Sequence, residues 1–179
     1  MTHKAIFLDR DGIINKVVLK KGKPAPPIDF NEFELTEGIV ETLQVLKQAG
    51  YLLIIFTNQP DVRRGDQTQT RVEAFHRHIQ EILPIDRVYV CYHDSQDNCD
   101  CRKPKPGMLK QAQQDFNIDF QKSFVVGDRW RDVDAGNAVG CRTLFMDYQY
   151  DESLRTQPSF IIHKIRQVLD IVPDTQPKS

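Results

Sequence analysis

Along the chain, short unbroken apolar runs alternate with longer stretches in which apolar residues recur every three or four positions. Ala5-Ile6-Phe7-Leu8 is the first run. It is too short for a helix and is bounded by charge and glycine, so it reads as a buried strand. Residues 38–49 place Ile39, Val40, Leu43 and Leu46 on one helical stripe, with Gly50 behind as a C-terminal cap. Tyr51 to Phe56 is a continuous apolar run, predicted as a central strand buried on both faces. Residues 60–67 read as a charged loop, and Thr70 with Glu73 has the spacing of a capping box that opens a helix to about Leu83, before Pro84.

The second half repeats the alternation. Val88-Tyr89-Val90 predicts a short strand, and Pro106-Gly107 opens a helix to about Phe116. Ser123 to Gly127 reads as a buried strand, Asp132 to Val139 as a helix ended by Gly140, and Arg142 to Met146 as a further strand. Phe160-Ile161-Ile162 predicts an edge strand, Ile165 to Ile171 a last helix, and 173–179 a disordered tail. Residues 13–35 break the pattern. They read as a hairpin flap turning at Gly22 among Lys20, Lys21 and Lys23, then an extended segment with Pro24, Pro26 and Pro27. The lysines suit a solvated turn, or a lid edge that sees a phosphate. Alternating strands and helices specify a parallel sheet with helices on both faces.

Composition adds boundaries. A chain of 179 residues fits one domain, expected over 1–172, with enough length for its own core. A net charge of −1 gives no electrostatic case for nucleic acid or an anionic membrane. No apolar run is long enough to span a bilayer, and the N-terminus leads straight into the first strand, so the expected setting is the cytoplasm. The expected assembly is a monomer. Four cysteines are present, and Cys91, Cys99 and Cys101 cluster beside His93. In a reducing compartment that favours metal over disulfides. Three sulfurs and an imidazole are the inventory of a closed structural zinc site. Cys141 reads as a small core hydrophobe.

The candidate chemistry sits where strands end. Asp9 and Asp11 follow the first run and point the same way if extended geometry persists. Two crowded carboxylates repel unless a cation sits between them, and Mg²⁺ suits hard oxygen ligands. One carboxylate can then be a nucleophile while the other carries a proton for the leaving group. Gly12 allows the backbone to turn beneath a ligand. Taken alone, the motif reads more readily as a polar strand end followed by a turn. Thr57 and Asp128 also follow predicted strands, and ligands of open α/β sheets bind outside those carboxyl ends.

In order, Asp9-x-Asp11-Gly12, Thr57, Lys103 and Gly127-Asp128-x-x-x-Asp132 resemble the four motifs of the haloacid dehalogenase (HAD) superfamily of phosphohydrolases, across residues 4 to about 146. The resemblance implies a Rossmann-like α/β fold, Mg²⁺ and an aspartyl-phosphate intermediate. It implies Asp9 as nucleophile, Asp11 as acid then base, and Asp9, Asp11 (through its backbone carbonyl) and Asp128 around Mg²⁺. Asp132 would hold metal waters or orient Lys103, Thr57 and backbone near Asn58 would bind phosphate oxygens, and Lys103 would neutralise the transferring group. Neither interval between motifs has room for a large cap domain. A phosphorelay receiver shares part of the set, but the second aspartate argues for turnover; the intact set of acids argues against the other rival, a silent zinc-binding interaction domain.

With Cys91-x-His93-x₅-Cys99-x-Cys101 running into Arg102-Lys103-Pro104, the chain looks like the capless, zinc-loop group of heptose bisphosphate and histidinol-phosphate phosphatases. Lys105-Pro106-Gly107-Met108 and Arg64-Gly65 lean to the first. The short gap from His93 to Cys99 and Gly127-Asp128-Arg129 lean to the second. Gln59-Pro60-Asp61 and the flap depart from both. Arg64 and Arg102 are cationic candidates near the substrate, and an arginine fork suits a second phosphate better than the amine of histidinol phosphate. A sugar bisphosphate, a manno-heptose 1,7-bisphosphate losing its 7-phosphate, is the expected substrate.

Overall fold

The computed structural model describes residues 1–20 and 22–175. Lys21 in the flap turn and residues 176–179 of the expected tail lie outside the described residues. In chain order the elements are β1 (Ala5–Leu8), β2 (Val18–Lys20), β3 (Lys23–Ala25), α1 (Ile39–Gln48), β4 (Leu52–Asn58), α2 (Asp61–Arg64), α3 (Gln69–Ile82), β5 (Arg87–Cys91), α4 (Gly107–Phe116), β6 (Phe124–Gly127), α5 (Trp130–Val139), β7 (Arg142–Met146), β8 (Phe160–Ile162) and α6 (Val168–Ile171).

Six strands form one parallel sheet in the order β5-β4-β1-β6-β7-β8. The chain builds outward from β1 through β4 to β5, then returns to the other side of β1 and continues through β6 to β8. The order reverses at β1, and at such a point adjacent strand ends open a crevice. Register sets who meets there: Leu8 lies beside Ile55 on one side and Val126 on the other, so Asp9, Thr57 and Asp128 emerge together.

Strand alternation divides the core into two layers. Ile6, Leu8, Leu53, Ile55, Phe124 and Val126 face one way, against Leu43 and Leu46 of α1 and Ile79 of α3. Ala5, Phe7, Ile54, Phe56 and Val125 face the other way, against Met108 and Leu109 of α4 and Ala135 of α5. With both faces covered, the strands read as unbroken apolar runs.

Several boundaries differ from the sequence reading, each for a local reason. Strand β4 runs on through Thr57 and Asn58, because β5 pairs both with Val90 and Cys91. The charged loop contains the short α2, which ends at Gly65 in a left-handed turn, φ 82°. Helix α3 is capped by Thr68 rather than Thr70: its hydroxyl accepts from the Arg71 N–H at 3.3 Å. Helix α5 starts at Trp130, two residues before Asp132, whose carboxylate accepts from the Arg129 N–H at 3.0 Å. The last helical segment is a 3₁₀ turn over Ile165–Gln167 continued by α6. Residues 173–175, read from sequence as tail, pack on the domain instead. The Tyr51 hydroxyl donates to the Pro173 carbonyl at 3.4 Å, and Lys4 pairs with Asp174 at 2.9 Å. The flap is a β2–β3 hairpin outside the main sheet. No helix among the described residues is long and apolar enough to cross a membrane.

Candidate active site

The backbone does not stay extended after Leu8. It turns through Gly12, whose φ of +91° is open to glycine and costly for other residues. A Cβ there would also lie 2.2 Å from Asp128 Oδ2. The turn separates the two aspartates of the first motif, correcting the expectation that extended geometry aligns them. Asp9 joins Asp128 and Asp132, each offering a carboxylate oxygen within 4.8 Å of the others. The Asp11 carboxylate is held by other partners: Arg10 at 2.9–3.1 Å, Asn15 at 3.0 Å and Gln59 at 2.9 Å. Asp9 and Asp11 still share one cavity of about 690 Å³ with Thr57, Lys103 and Asp128. A larger cavity, about 850 Å³, lies behind Gly12 and Tyr148 and holds none of these acids.

Lys103 ties the cluster together. Its ammonium, buried with its side chain 3% exposed, lies 2.9 Å from Asp9 Oδ1 and 2.7 Å from Asp132 Oδ1. It also donates to the Phe56 carbonyl at 3.0 Å. Burial opposes the charge of Lys103, but Asp132 and Asp9 outweigh it and hold its pKa above the ordinary lysine value. Asp9 and Asp132 pair with Lys103 and Asp128 lies beside them, so negative charge is in excess. Burial, then the charge of Asp132, raises the pKa of Asp9 to about 7 despite Lys103. Burial and the charges of Asp9 and Asp132 raise that of Asp128 well above the carboxylate range. Asp128 Oδ1 is buried without a hydrogen-bond partner. An orphaned carboxylate oxygen among hard oxygen donors is the arrangement a divalent cation satisfies.

The remaining predicted residues fall around this centre. Thr57 Oγ1 accepts from Gln59 Nε2 at 3.0 Å. The Asn58 side chain is bound to the backbone of Lys103, through Nδ2 to the carbonyl at 3.1 Å and Oδ1 to the N–H at 3.0 Å. Arg64 and Arg102 line the cavity. Arg64, however, is gripped by Asp94 at 2.7 and 2.8 Å and approached by Asp61 at 3.4 Å. Arg102 donates to the His93 carbonyl at 3.0 Å and lies 3.7 Å from Asp94.

Cys91, His93, Cys99 and Cys101 converge with one ligand atom each within 4.8 Å of the rest. The Cys91 and Cys99 sulfurs are 3.6 Å apart, those of Cys99 and Cys101 3.5 Å, and His93 Nδ1 lies 3.3 Å from the Cys101 sulfur. All four cysteines are free thiols, and Cys141 is buried in the core layer of α4 and α5. The cluster could hold a soft metal, and four protein ligands would close its shell.

Sequence reasoning missed the roles of the residues behind Asp11: Arg10 and Asn15 lie in the same turn as Asp11, while Gln59 and His76 reach that turn from beyond β4 and from α3 and so carry no spacing signal. It also missed Arg129, Trp130 and Arg131, which line the cavity beside Asp128. Their signal was present: two arginines flanking a tryptophan between Asp128 and Asp132.

A parallel sheet with buried acids and a lysine at its carboxyl edge places the protein among the HAD-like phosphatases, and the chain belongs to that family. A family model described as HAD-hydrolase-like matches residues 100–168, the stretch that holds Lys103, Asp128 and Asp132. The chain is 37% identical over 179 residues to the D-glycero-beta-D-manno-heptose-1,7-bisphosphate 7-phosphatase of Helicobacter pylori, covering 96% of this chain and 98% of that protein. It is 40% identical over 147 residues to the protein of the same name from Pasteurella multocida, covering 76% and 77%. Among solved structures it is similar to D,D-heptose 1,7-bisphosphate phosphatase from B. bronchiseptica complexed with magnesium and phosphate, with a TM-score of 0.79, 25% identity and coverage of 94% and 97%.

Proposed function

We propose that the protein removes the 7-phosphate of D-glycero-D-manno-heptose 1,7-bisphosphate through a phosphorylated aspartate. The observation that carries the chemistry is Lys103 bridging Asp9 and Asp132 beside Asp128. Asp9 attacks phosphorus as its P–O bond to the sugar breaks, and Asp11 gives its proton to the departing oxygen. Asp11, now ionised, takes a proton from water as that water attacks the phosphorus of phospho-Asp9, which restores Asp9 and releases phosphate. Thr57 donates to a phosphoryl oxygen, Lys103 neutralises charge on the group in transfer, and Asp132 holds Lys103. The carboxylates of Asp9 and Asp128 with the carbonyl of Asp11 would hold Mg²⁺, which when bound offsets the charge of the phosphoryl oxygens. Cys91, His93, Cys99 and Cys101 would hold a structural Zn²⁺.

The substrate reading rests on the named relatives and on charge. Arg102, with Arg64 and Arg131 on the same cavity wall, supplies guanidinium forks for a second phosphate. The amine of histidinol phosphate would meet like charge there. The test is kcat/KM for heptose 1,7-bisphosphate against histidinol phosphate with Mg²⁺ present. A preference of about tenfold or more for the bisphosphate, equal to about 1.4 kcal/mol, is expected. A preference for histidinol phosphate, or poor use of both, overturns the assignment of substrate.

A further inference from the structure

Behind Asp11 lies a buried cation that the proposed chemistry does not use. Arg10 is 2% exposed. Its Nε and Nη2 donate to Asp11 Oδ1 at 3.1 and 3.0 Å, and Nη2 reaches Oδ2 at 2.9 Å. The remaining arm, Nη1, ends 3.3 Å from His76 Nε2 on α3, and neither residue lines the cavity. His76 is 6% exposed, and the Phe75 ring packs 5.8 Å from the Arg10 guanidinium carbon. Burial, then the charge of Arg10, lowers the pKa of His76 to about 3. The ring is therefore neutral, and facing a donor it offers the lone pair of Nε2, with its proton on Nδ1. Asn15 also donates to Asp11 Oδ1 at 3.0 Å and Gln59 to Oδ2 at 2.9 Å.

A carboxylate three residues beyond a strand end, as Asp11 is, has two free side-chain torsions, and proton transfer to a leaving oxygen requires a fixed setting of them. A planar fork fixes it better than a point charge does. The fork in turn must be fixed, and among the described residues it is His76 that meets its outer arm. We propose that Arg10 and His76 are positioning residues for Asp11: the neutral His76 ring on α3 sets the plane of the Arg10 guanidinium, which sets the carboxylate of Asp11 for proton transfer. This rests on Asp11 being the acid that protonates the leaving oxygen.

The test separates leaving groups. A sugar alkoxide needs a proton to leave, whereas p-nitrophenolate does not, so a misplaced acid harms only the first. The expected result for His76→Leu, which removes the acceptor, is a loss of about tenfold in kcat/KM for the sugar phosphate and less than about threefold for p-nitrophenyl phosphate, a fraction of what a general acid supplies. His76→Gln keeps an acceptor oxygen for Nη1 and should restore the sugar phosphate rate to within about threefold of wild type. Equal loss on both substrates, no loss on either, or equal loss in the Leu and Gln variants overturns the proposal. If the Leu variant does not fold, Arg10→Lys, which keeps the charge and loses the fork, takes the same comparison with the same expected split and the same overturning results. Asp11→Asn tests the underlying reading: if it keeps more than a few percent of the sugar phosphate rate, Asp11 is not the acid. If it is inactive while the His76 variants match wild type, only the positioning claim falls.

Discussion

Asn58 and Lys103 form a closed two-way pair, in which the Asn58 amide accepts from the Lys103 N–H at 3.0 Å and donates to the Lys103 carbonyl at 3.1 Å. A strand-end side chain thus fixes the backbone of a residue 45 positions away. The buried ammonium 2.9 Å from Asp9 depends on that backbone. Asn58→Ala leaves two part-buried peptide groups unpaired, a cost of about 1–3 kcal/mol each unless water replaces the amide. The expected outcome is a fall in kcat of about 10-fold to 100-fold with a lower melting temperature, checked by steady-state kinetics and thermal denaturation; displacing reacting groups by about 1 Å has that scale of effect. A wild-type kcat would show that Lys103 does not need the pair.

Asp9→Asn removes the attacking oxygen anion and one ligand of the acid cluster, yet leaves Lys103 paired with Asp132 at 2.7 Å. Phosphate release should fall below detection while the fold persists. In the metal-free protein the variant should melt no lower than wild type, because it deletes one of three mutually repelling acids. Retention of more than a few percent of activity would falsify the covalent route.

The same repulsion sets a pH dependence. The pKa of Asp9 stands at about 7 in the fold against 3.8 for the ordinary group. A raised folded pKa means that folding favours the protonated form. That contribution is full below about pH 4 and is lost as pH climbs through 7. Divalent cation binding needs the ionised form and displaces the proton. Mg²⁺ should therefore bind more tightly at pH 8 than at pH 6, and its gain in melting temperature should grow over that interval. A pH-independent gain in a Mg²⁺ titration followed by thermal shift would contradict this.

Zinc removal tests the other cluster. The loop from Cys91 to Cys101 holds few apolar residues, so burial alone does not order it. Lys103 follows the last ligand by two residues, and the Gly107 position packs so closely that a Cβ would lie 2.2 Å from the Asp100 carbonyl. Protein purified without chelator should contain one zinc per chain. Cys99→Ser should lower zinc content and phosphate turnover together. Elemental analysis that finds no zinc would sink the assignment.

What could be read from sequence followed from periodicity and from residues that follow apolar runs. The β1, β4 and β6 runs are apolar because both sheet faces are covered, and that alone located Asp9, Thr57 and Asp128 at neighbouring ends. The clustering of Cys91, His93, Cys99 and Cys101 is local in the chain, so it needed no fold. Long-range partnerships were not legible. Nothing in the string joins His76 to Arg10 or Asn58 to Lys103, because each pair meets only once the sheet order places their elements side by side. The turn at Gly12 was visible, but not that it sends Asp11 to Arg10 and away from Asp128. Arg64 was readable as a cation near the site, whereas its neutralisation by Asp94, supplied from the loop after β5, was not.

That neutralisation ranks the arginines. Arg64 already has two carboxylates, with Asp94 at 2.7 and 2.8 Å and Asp61 at 3.4 Å. Arg102 has Asp94 only at 3.7 Å. Arg131 has Glu152 at 3.8 Å, and Glu152 is shared with Arg129, which holds it by a short ion pair. Burial and the charges of Arg129 and Arg102 lower the pKa of Arg131, the mark of a cation among cations. An incoming phosphate gains most from guanidinium groups whose charge is least satisfied. Arg102→Ala and Arg131→Ala should therefore each raise KM for the heptose bisphosphate by about tenfold, or about 1.4 kcal/mol, with kcat little changed if the contact is equal in ground and transition states. Arg64→Ala should raise it by less than about threefold, because the charge of Arg64 is already taken up by Asp94 and Asp61. A monophosphate lacking the second phosphate should be insensitive to all three. Should Arg64→Ala prove the most damaging, the second phosphate sits against α2 rather than between the zinc loop and α5.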